Sequence, residues 1–285
     1  MKPFNITLIR PEGYLHAAAL TEVAQYLHSC LVGAGYPSAL TTNTIHPDAH
    51  NVVLCAHMLD KAFFDQLPPD TILFNSEQLR NKDRWHADSP YRQLLDKFFV
   101  WDYSLQNLSE IDHARKSHIA FFFCPDLARN KIPRKKDGLL FFYGLTTERR
   151  LLLIKEIDAA GVPVEILFGK YEAERDALIF GAWAVLNIGH TENLATFEPI
   201  RCFYPLINDI PVISETYAAD PTFDIYKDWL FTFEPRDLAA GIAALHRDPA
   251  EFERQAADKL ARFHKTSGVE AVVEAVDIYR RALNL

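Results

Sequence analysis

With 285 residues, 49% of them hydrophobic and 24% charged, the chain has material for two α/β domains of ordinary size and is too apolar for a disordered protein. Its formal charge of −8 offers no basic face for neutralising phosphates, so broad nucleic-acid binding is not expected. Four scattered cysteines without metal-ligand spacing read as reduced, buried thiols. The first residues lack the apolar core of a signal peptide, and no apolar run approaches the roughly 20 residues of a membrane span, so a cytoplasmic protein is expected.

Short β-branched or aromatic runs alternate with helix-patterned segments, the mark of βα units around a parallel sheet. The first half predicts strands at 6–10, 38–42, 52–56, 71–75, 97–101 and 118–123. It also predicts a helix over 15–31, where Leu20, Val23, Ala24, Leu27 and Leu31 share one face. The stretch 124–138, with two prolines and a closing glycine, reads as a linker, and its Arg134-Lys135-Lys136 run as a solvated part of it. Alternation then resumes, with strands at 139–143, 164–168, 184–188, 211–214 and 229–233 and helices at 147–160, 171–180, 235–247, 249–263 and 269–283. Domains are placed at 1–127 and 128–267, with 268–285 as a last helix set off by Ser267-Gly268 and able to pack back on the first domain.

Ligands of open parallel sheets bind beyond the carboxyl ends of the strands, and three loops there carry chemistry. In Arg10-Pro-Glu-Gly-Tyr-Leu-His16, Gly13 permits a tight turn and His16 falls in the first turn of a helix. The positive helix end favours a neutral imidazole, which can take a proton from an acceptor hydroxyl; the alternative is a histidine that only hydrogen-bonds the loop. In Phe142-Tyr-Gly-Leu-Thr-Thr-Glu-Arg-Arg150, Gly144 lets backbone approach a ligand, and Thr146 or Thr147 caps the helix. Arg149 or Arg150 there offers forked donors to a diphosphate, unless Glu148, Arg149 and Arg150 are simply a solvated first turn.

The third loop runs from Asn187 to Arg201, with Thr196 as cap and Glu198 in the first turn of a helix whose free N–H groups form a phosphate site. Glu198 can accept ribose hydroxyls or merely complement the helix dipole, and Arg201 can stabilise a leaving diphosphate or pair with Glu198. His190 in this loop rivals His16. Gly169-Lys170 follows a strand and can touch base or phosphate. Asn75-Ser-Glu-Gln78 and Trp101-Asp-Tyr-Ser104 lie at strand ends of the first half, whereas His57, beside Cys55 and Met58, reads as packed. Asp-x-Asp, P-loop and Gly-x-Ser-x-Gly patterns are absent.

On Phe142–Arg150, Leu167-Phe-Gly-Lys170, 187–198, 201–215 and 230–249, the second half resembles the nucleotide-sugar domain of GT-B glycosyltransferases. The first half, on Gly13-Tyr-Leu-His16, Phe74-Asn-Ser-Glu-Gln78 and Trp101-Asp-Tyr-Ser104, is similar to uncharacterised bacterial glycosyltransferase-like proteins. The resemblance implies two Rossmann-like domains facing across a cleft. It also implies hexosyltransferase-like transfer from a nucleoside-diphosphate sugar, a co-substrate with no resident cofactor or metal, to an unknown glycan, small-molecule or protein acceptor. It places Gly144, Thr146, Arg149, Gly169, Lys170, His190, Thr196, Phe197, Glu198 and Arg201 around the donor, and Gly13, Tyr14, Asn75, Glu77, Gln78, Asp102 and Tyr103 around the acceptor, with His16 and Glu198 catalytic.

Members that retain configuration carry paired glutamates, and the matching positions here, Thr196 and Tyr204, are not acidic. The resemblance therefore implies inversion with His16 as base. A catalytically silent nucleotide- or partner-binding relative and a sugar-nucleotide epimerase share the same scaffold.

Overall fold

The computed structural model describes residues 2–133, 139–191 and 196–285; the basic run at 134–136 and residues 192–195 of the third loop lie outside them. The chain divides into two compact units, Met1–Asp126 with Ser267–Leu285, and Leu127–Thr266. Each is an α/β unit on a wholly parallel sheet, as the alternation predicts.

The first unit runs β1 (Phe4–Leu8), α1 (Thr21–Gly33), β2 (Ser38–Thr42), β3 (His50–Leu54), β4 (Ile72–Asn75), α2 (Pro90–Lys97), β5 (Phe99–Asp102), α3 (Leu105–Leu108) and β6 (Lys116–His118). Its strands lie in the order β2-β1-β3-β4-β5-β6. Strand order reverses between β1 and β3, the kind of place beyond whose strand ends open parallel sheets bind ligands.

β1 starts two residues before the predicted strand because its polar residues are internal. The Asn5 amide donates to Thr44 O and to Asn51 Oδ1, both at 2.9 Å, and Thr7 Oγ1 accepts from the Thr44 N–H. β3 ends early because Cys55 has φ +57°, a left-handed conformation that stops a strand. The predicted 15–31 helix is split, with a 3-10 turn at Leu15–Leu20 ahead of α1. Of the predicted 118–123 strand, only His118 pairs; Ile119 and Phe121 pack into the core as irregular chain.

The second unit runs β7 (Leu140–Tyr143), α4 (Glu148–Ala159), β8 (Val164–Leu167), α5 (Glu172–Ile179), β9 (Ala184–Asn187), α6 (Pro199–Ile207), β10 (Val212–Glu215), α7 (Pro221–Tyr226), β11 (Phe231–Phe233), α8 (Leu238–Arg247) and α9 (Pro249–Phe263). The strand order is β11-β10-β9-β7-β8, and it reverses between β7 and β9. Its core joins Leu140, Phe142 and Leu186 of the sheet to Ile154 and Ile157 of α4, Ile242 of α8 and Phe252 of α9.

The last helix, α10 (Gly268–Leu283), packs on α1 and β6 of the first unit, as predicted. Val272, Val276 and Tyr279 are fully buried, worth about 1.5–3 kcal/mol for each large apolar side chain, and the Tyr279 hydroxyl donates to Asp70 O at 2.7 Å. Ser267 caps the helix by accepting from the Glu270 N–H, and Gly268 N donates to Phe123 O at 2.9 Å. All four cysteines are free and buried.

Candidate functional site

The reversal point of the second unit collects charge. β7 delivers Gly144 at φ +147°, where an added Cβ would lie 3.2 Å from Arg201 Nη2 and 3.4 Å from the Phe142 ring. Thr147, not Thr146, caps α4: its hydroxyl accepts from the Arg150 N–H and donates to His190 O at 2.9 Å, tying the β7 loop to the β9 loop.

Arg150 is buried, contrary to a solvated first turn. Its Nε donates to Ile188 O at 3.0 Å, its Nη1 to Leu145 O at 2.7 Å, and its Nη2 to Glu198 Oε2 at 3.3 Å. Arg201 donates from Nε to Tyr143 O at 3.1 Å and from Nη1 to Asn187 Oδ1 at 2.8 Å, and it pairs with Glu198. Both guanidinium groups lie over the Phe142 ring, at 5.2 and 5.5 Å from its centroid. Beside them Arg149 donates to Gly189 O and to Glu215 Oε1, each at 3.1 Å, and pairs with Glu215; that carboxylate also accepts from Gly189 N and from the Tyr217 hydroxyl.

Three arginines face two carboxylates, so the cluster is cationic. Burial alone would raise the Glu198 carboxyl, but Arg201 and Arg150 outweigh it and hold the group below its ordinary value, ionised. Burial first, and Arg201 second, lower Arg150 to about 10. Burial and the Arg150 charge lower His190, which keeps it neutral at pH 7.

Of the residues predicted around the donor, Gly144, Arg149, His190, Glu198 and Arg201 come together here, with Thr146 in the same loop. Thr196 and Phe197 require correction. α6 opens at Pro199 with Glu198 at its N-cap, so Thr196 is not the cap. Both Thr196 and Phe197 are buried; the Phe197 ring packs on Tyr217, Phe223 and Tyr226, and its N–H donates to Asp220 at 2.8 Å.

The helix start thus moves to Pro199, and the Arg150 and Arg201 guanidinium groups stand beside it on the Glu198 carboxylate. Gly169 turns at φ +67° after β8, where Lys170 pairs at the surface with Glu174. Arg150, Asn187, Glu215 and Tyr217 complete the cluster. Glu215 ends β10, so the strand-end rule applied to that strand would have found it.

The reversal point of the first unit is built differently. Gly13 turns at φ +76°, and the Tyr14 and His16 rings meet edge-on at 5.6 Å. His16 stands exposed in the first turn of the 3-10 helix Leu15–Leu20, ahead of α1. Burial, then Cys55 and Glu77, raise the Tyr14 phenol, which places it within electrostatic reach of both.

Asn75, Asp102 and Tyr103, predicted to meet an acceptor, are internal. Asn75 Nδ2 donates to Asp102 Oδ2 at 2.6 Å and to Glu77 O at 2.9 Å, and Tyr103 O accepts from His118 at 3.0 Å. Glu77 and Gln78 stay half-buried at the rim. Glu77 lies 3.4 Å from His57 Nδ1 through one oxygen and 3.4 Å from Arg84 through the other.

Two wholly parallel α/β units, each with a strand-order reversal, are the features by which the chain compares with known folds. No protein-family model matches the chain. Among solved structures, it is similar over its whole length to T4 phage BGT in complex with its UDP-glucose substrate, with a TM-score of 0.55, 12% identity and 100% of both chains covered. It is also similar to WaaG, a glycosyltransferase involved in lipopolysaccharide biosynthesis, with a TM-score of 0.58 and 10% identity over 97% of this chain and 99% of that one. The chain has the GT-B fold.

Curated relatives are uncharacterised proteins of Acanthamoeba polyphaga mimivirus. One is 28% identical over 204 residues, 68% of this chain and 64% of its own length; another is 24% identical over 212 residues, 70% of this chain and 23% of its own. The chain thus spans less than two thirds of the length of these relatives, and their viral source corrects the bacterial kinship expected for the first half. Among the described residues no helix is long and apolar enough to cross a membrane.

Proposed function

We propose that the chain transfers a sugar from a nucleoside-diphosphate sugar to a hydroxyl-bearing acceptor, with inversion and without a metal ion. The observation that carries this reading is the Arg150–Glu198–Arg201 cluster beside Gly144, at the strand-order reversal of the second unit. A departing diphosphate gains negative charge, and fixed guanidinium forks in a half-buried site stabilise that charge more in the transition state than in the ground state.

Gly144 lets the donor approach the backbone, and Glu198, whose side chain keeps 23% of its surface exposed, offers oxygens to paired ribose hydroxyls. The four free thiols suit a reducing, cytoplasmic setting. With a formal charge of −8, the acceptor is proposed to be something other than nucleic acid.

UDP is the first nucleotide to test, because T4 phage BGT of the same fold has UDP-glucose as its substrate. At a hundred times its Kd, a ligand adds about 2.7 kcal/mol, which for a unit of this size raises the Tm by roughly 5–10 °C. A thermal-shift screen of UDP, GDP, dTDP and CMP is expected to show such a rise with one of them. Flat melting curves with all four at millimolar concentration would remove the reading.

A further inference from the structure

We propose that Cys30 and Cys124 form a redox site of the first unit, where an oxidant of the peroxide class joins them in a disulfide that staples α1 to the chain beneath α10. The inference stands apart from the transferase reading, because every residue in it belongs to the first unit.

Cys30 lies in the last turn of α1, and the irregular chain after β6 runs across that face of the helix. Tyr26, one turn earlier, fixes the register between them. Its hydroxyl donates to Ala120 O and accepts from Phe122 N, both at 3.0 Å, and its ring meets Phe121 at 5.0 Å. One turn beyond Tyr26 the helix presents Cys30, and just beyond Phe122 the facing chain presents Cys124. The two side chains are hydrogen-bonded to each other.

The last helix closes the third side. Gly268 N donates to Phe123 O at 2.9 Å, next to Cys124, and a Cβ added to Gly268 would stand 3.0 Å from Cys30 Sγ. The pair is thus walled in by α1, α10 and its own segment, with Cys30 0% and Cys124 4% exposed.

Packing alone does not call for two sulfurs in contact. A buried cysteine serves as a small apolar side chain, and Cys55 and Cys202 are of that kind: burial is the main influence on each, and no second thiol contributes. Cys30 and Cys124 come from elements far apart in sequence and meet sulfur to sulfur. From hydrogen-bond contact, rotation of the two side chains carries the sulfurs toward the roughly 2 Å of a disulfide.

The hydrogen bond with Cys124, and then burial, push the Cys30 thiol well up. It is protonated at pH 7, so the pair persists as thiols in reducing surroundings and closes only under sustained oxidation. Cys124 keeps a trace of exposure and meets the peroxide first. Its sulfur attacks one peroxide oxygen and the O–O bond breaks; the thiol proton goes to the departing hydroxide, leaving a sulfenic acid and a water. The Cys30 sulfur then attacks the Cys124 sulfur. The S–OH bond breaks, and the hydroxide leaves with the Cys30 proton as a second water. Two thiols and one peroxide become one disulfide and two waters, the sulfurs giving up the two electrons that the oxygens take.

The bridge closes a loop of about 95 residues, a strong restraint on the unfolded chain. It also fixes the Phe123 carbonyl that receives the start of α10.

The test exposes the reduced full chain to excess hydrogen peroxide at neutral pH, removes the peroxide with catalase, alkylates the denatured protein and maps its peptides by mass. Linked peptides carrying Cys30 and Cys124 are expected, with Cys55 and Cys202 alkylated. The Tm is expected to rise by roughly 5–10 °C and to fall back with dithiothreitol. Cys124→Ser and Cys30→Ser are each expected to show neither link nor rise, and either one with a native melting transition suffices.

Recovery of Cys30 and Cys124 on separate peptides, alkylated or over-oxidised, after a day in millimolar peroxide overturns the assignment. So does a link from either of them to Cys55 or Cys202. A Cys30–Cys124 link with an unchanged or lower Tm also overturns it, because the bridge would then form only by distorting the fold.

Discussion

Arg201→Ala is expected to weaken UDP binding about 100-fold and to cost about 2–3 kcal/mol of stability. The side chain donates to the Tyr143 carbonyl and to Asn187 Oδ1, and pairs with Glu198. Truncation deprives the fully buried Asn187 oxygen of that donor and Glu198 of its second arginine. Breaking a buried pair from one side commonly costs 3–5 kcal/mol, and the lower figure here reflects Arg150, which stays in place.

Arg201→Lys separates charge from geometry. A lysine keeps the cation but reaches only one of the partners now held by Nε and Nη1, so a loss of about tenfold in UDP affinity is expected. Calorimetric titration of both variants checks the order, wild type above lysine above alanine. Wild-type affinity in Arg201→Ala would place the nucleotide elsewhere.

Gly268→Ala is expected to lower stability by about 3 kcal/mol, through packing alone. A Cβ there would lie 2.7 Å from the Tyr26 hydroxyl, 2.9 Å from its ring and 3.0 Å from Cys30 Sγ. Tyr26 cannot yield cheaply, because its hydroxyl donates to Ala120 O and accepts from Phe122 N, both at 3.0 Å. Those two bonds hold the irregular chain after β6, so displacing the ring strains α1, that chain and the start of α10 together. Overpacking of this kind costs about 1–3 kcal/mol and a lost buried hydrogen bond about 1–3 more, which corresponds to a Tm lower by roughly 6–12 °C. A melting curve within a degree of wild type would show that α10 docks more loosely than these contacts imply.

Much of the architecture is legible in the residues. β2 at Ser38–Thr42 and α9 at Pro249–Phe263 stand where hydrophobic period and caps put them. β1 is shifted because its polar residues are internal, and β3 because Cys55 is left-handed. Asn5 and Thr7 look like reasons to start β1 later, and only their bonds to Thr44 and Asn51, far along the chain, make them strand residues. The run from Ile119 to Phe123 reads as a strand because it is apolar, yet its burial comes from α1 and α10 packing over it.

At the site, the rule that ligands meet strand ends leads to Gly144, Arg149, Glu198 and Arg201. It misplaces Thr196 and Phe197, because a threonine ahead of Glu-Pro has cap spacing whether or not an aromatic cluster surrounds it. Arg150 shows the same blindness in reverse. Next to Glu148 and Arg149 it reads equally as a forked diphosphate donor or as part of a solvated turn, and the carbonyls of Leu145, Ile188 and Gly189, distant from it in sequence or hidden in loops, are what receive its buried guanidinium. His57 beside Cys55 and Met58 reads as packed, and its side chain is buried at 7% exposure.

Hydrogen exchange of the full chain, with and without saturating UDP, asks most directly whether guanidinium groups in the second unit hold a diphosphate. Slower exchange is predicted in peptides covering 143–150 and 196–207, which carry Gly144, Arg150 and Arg201, with the 72–102 region of the first unit unchanged by UDP alone. Protection confined to the first unit, or none anywhere at a UDP concentration shown to be saturating, would contradict it.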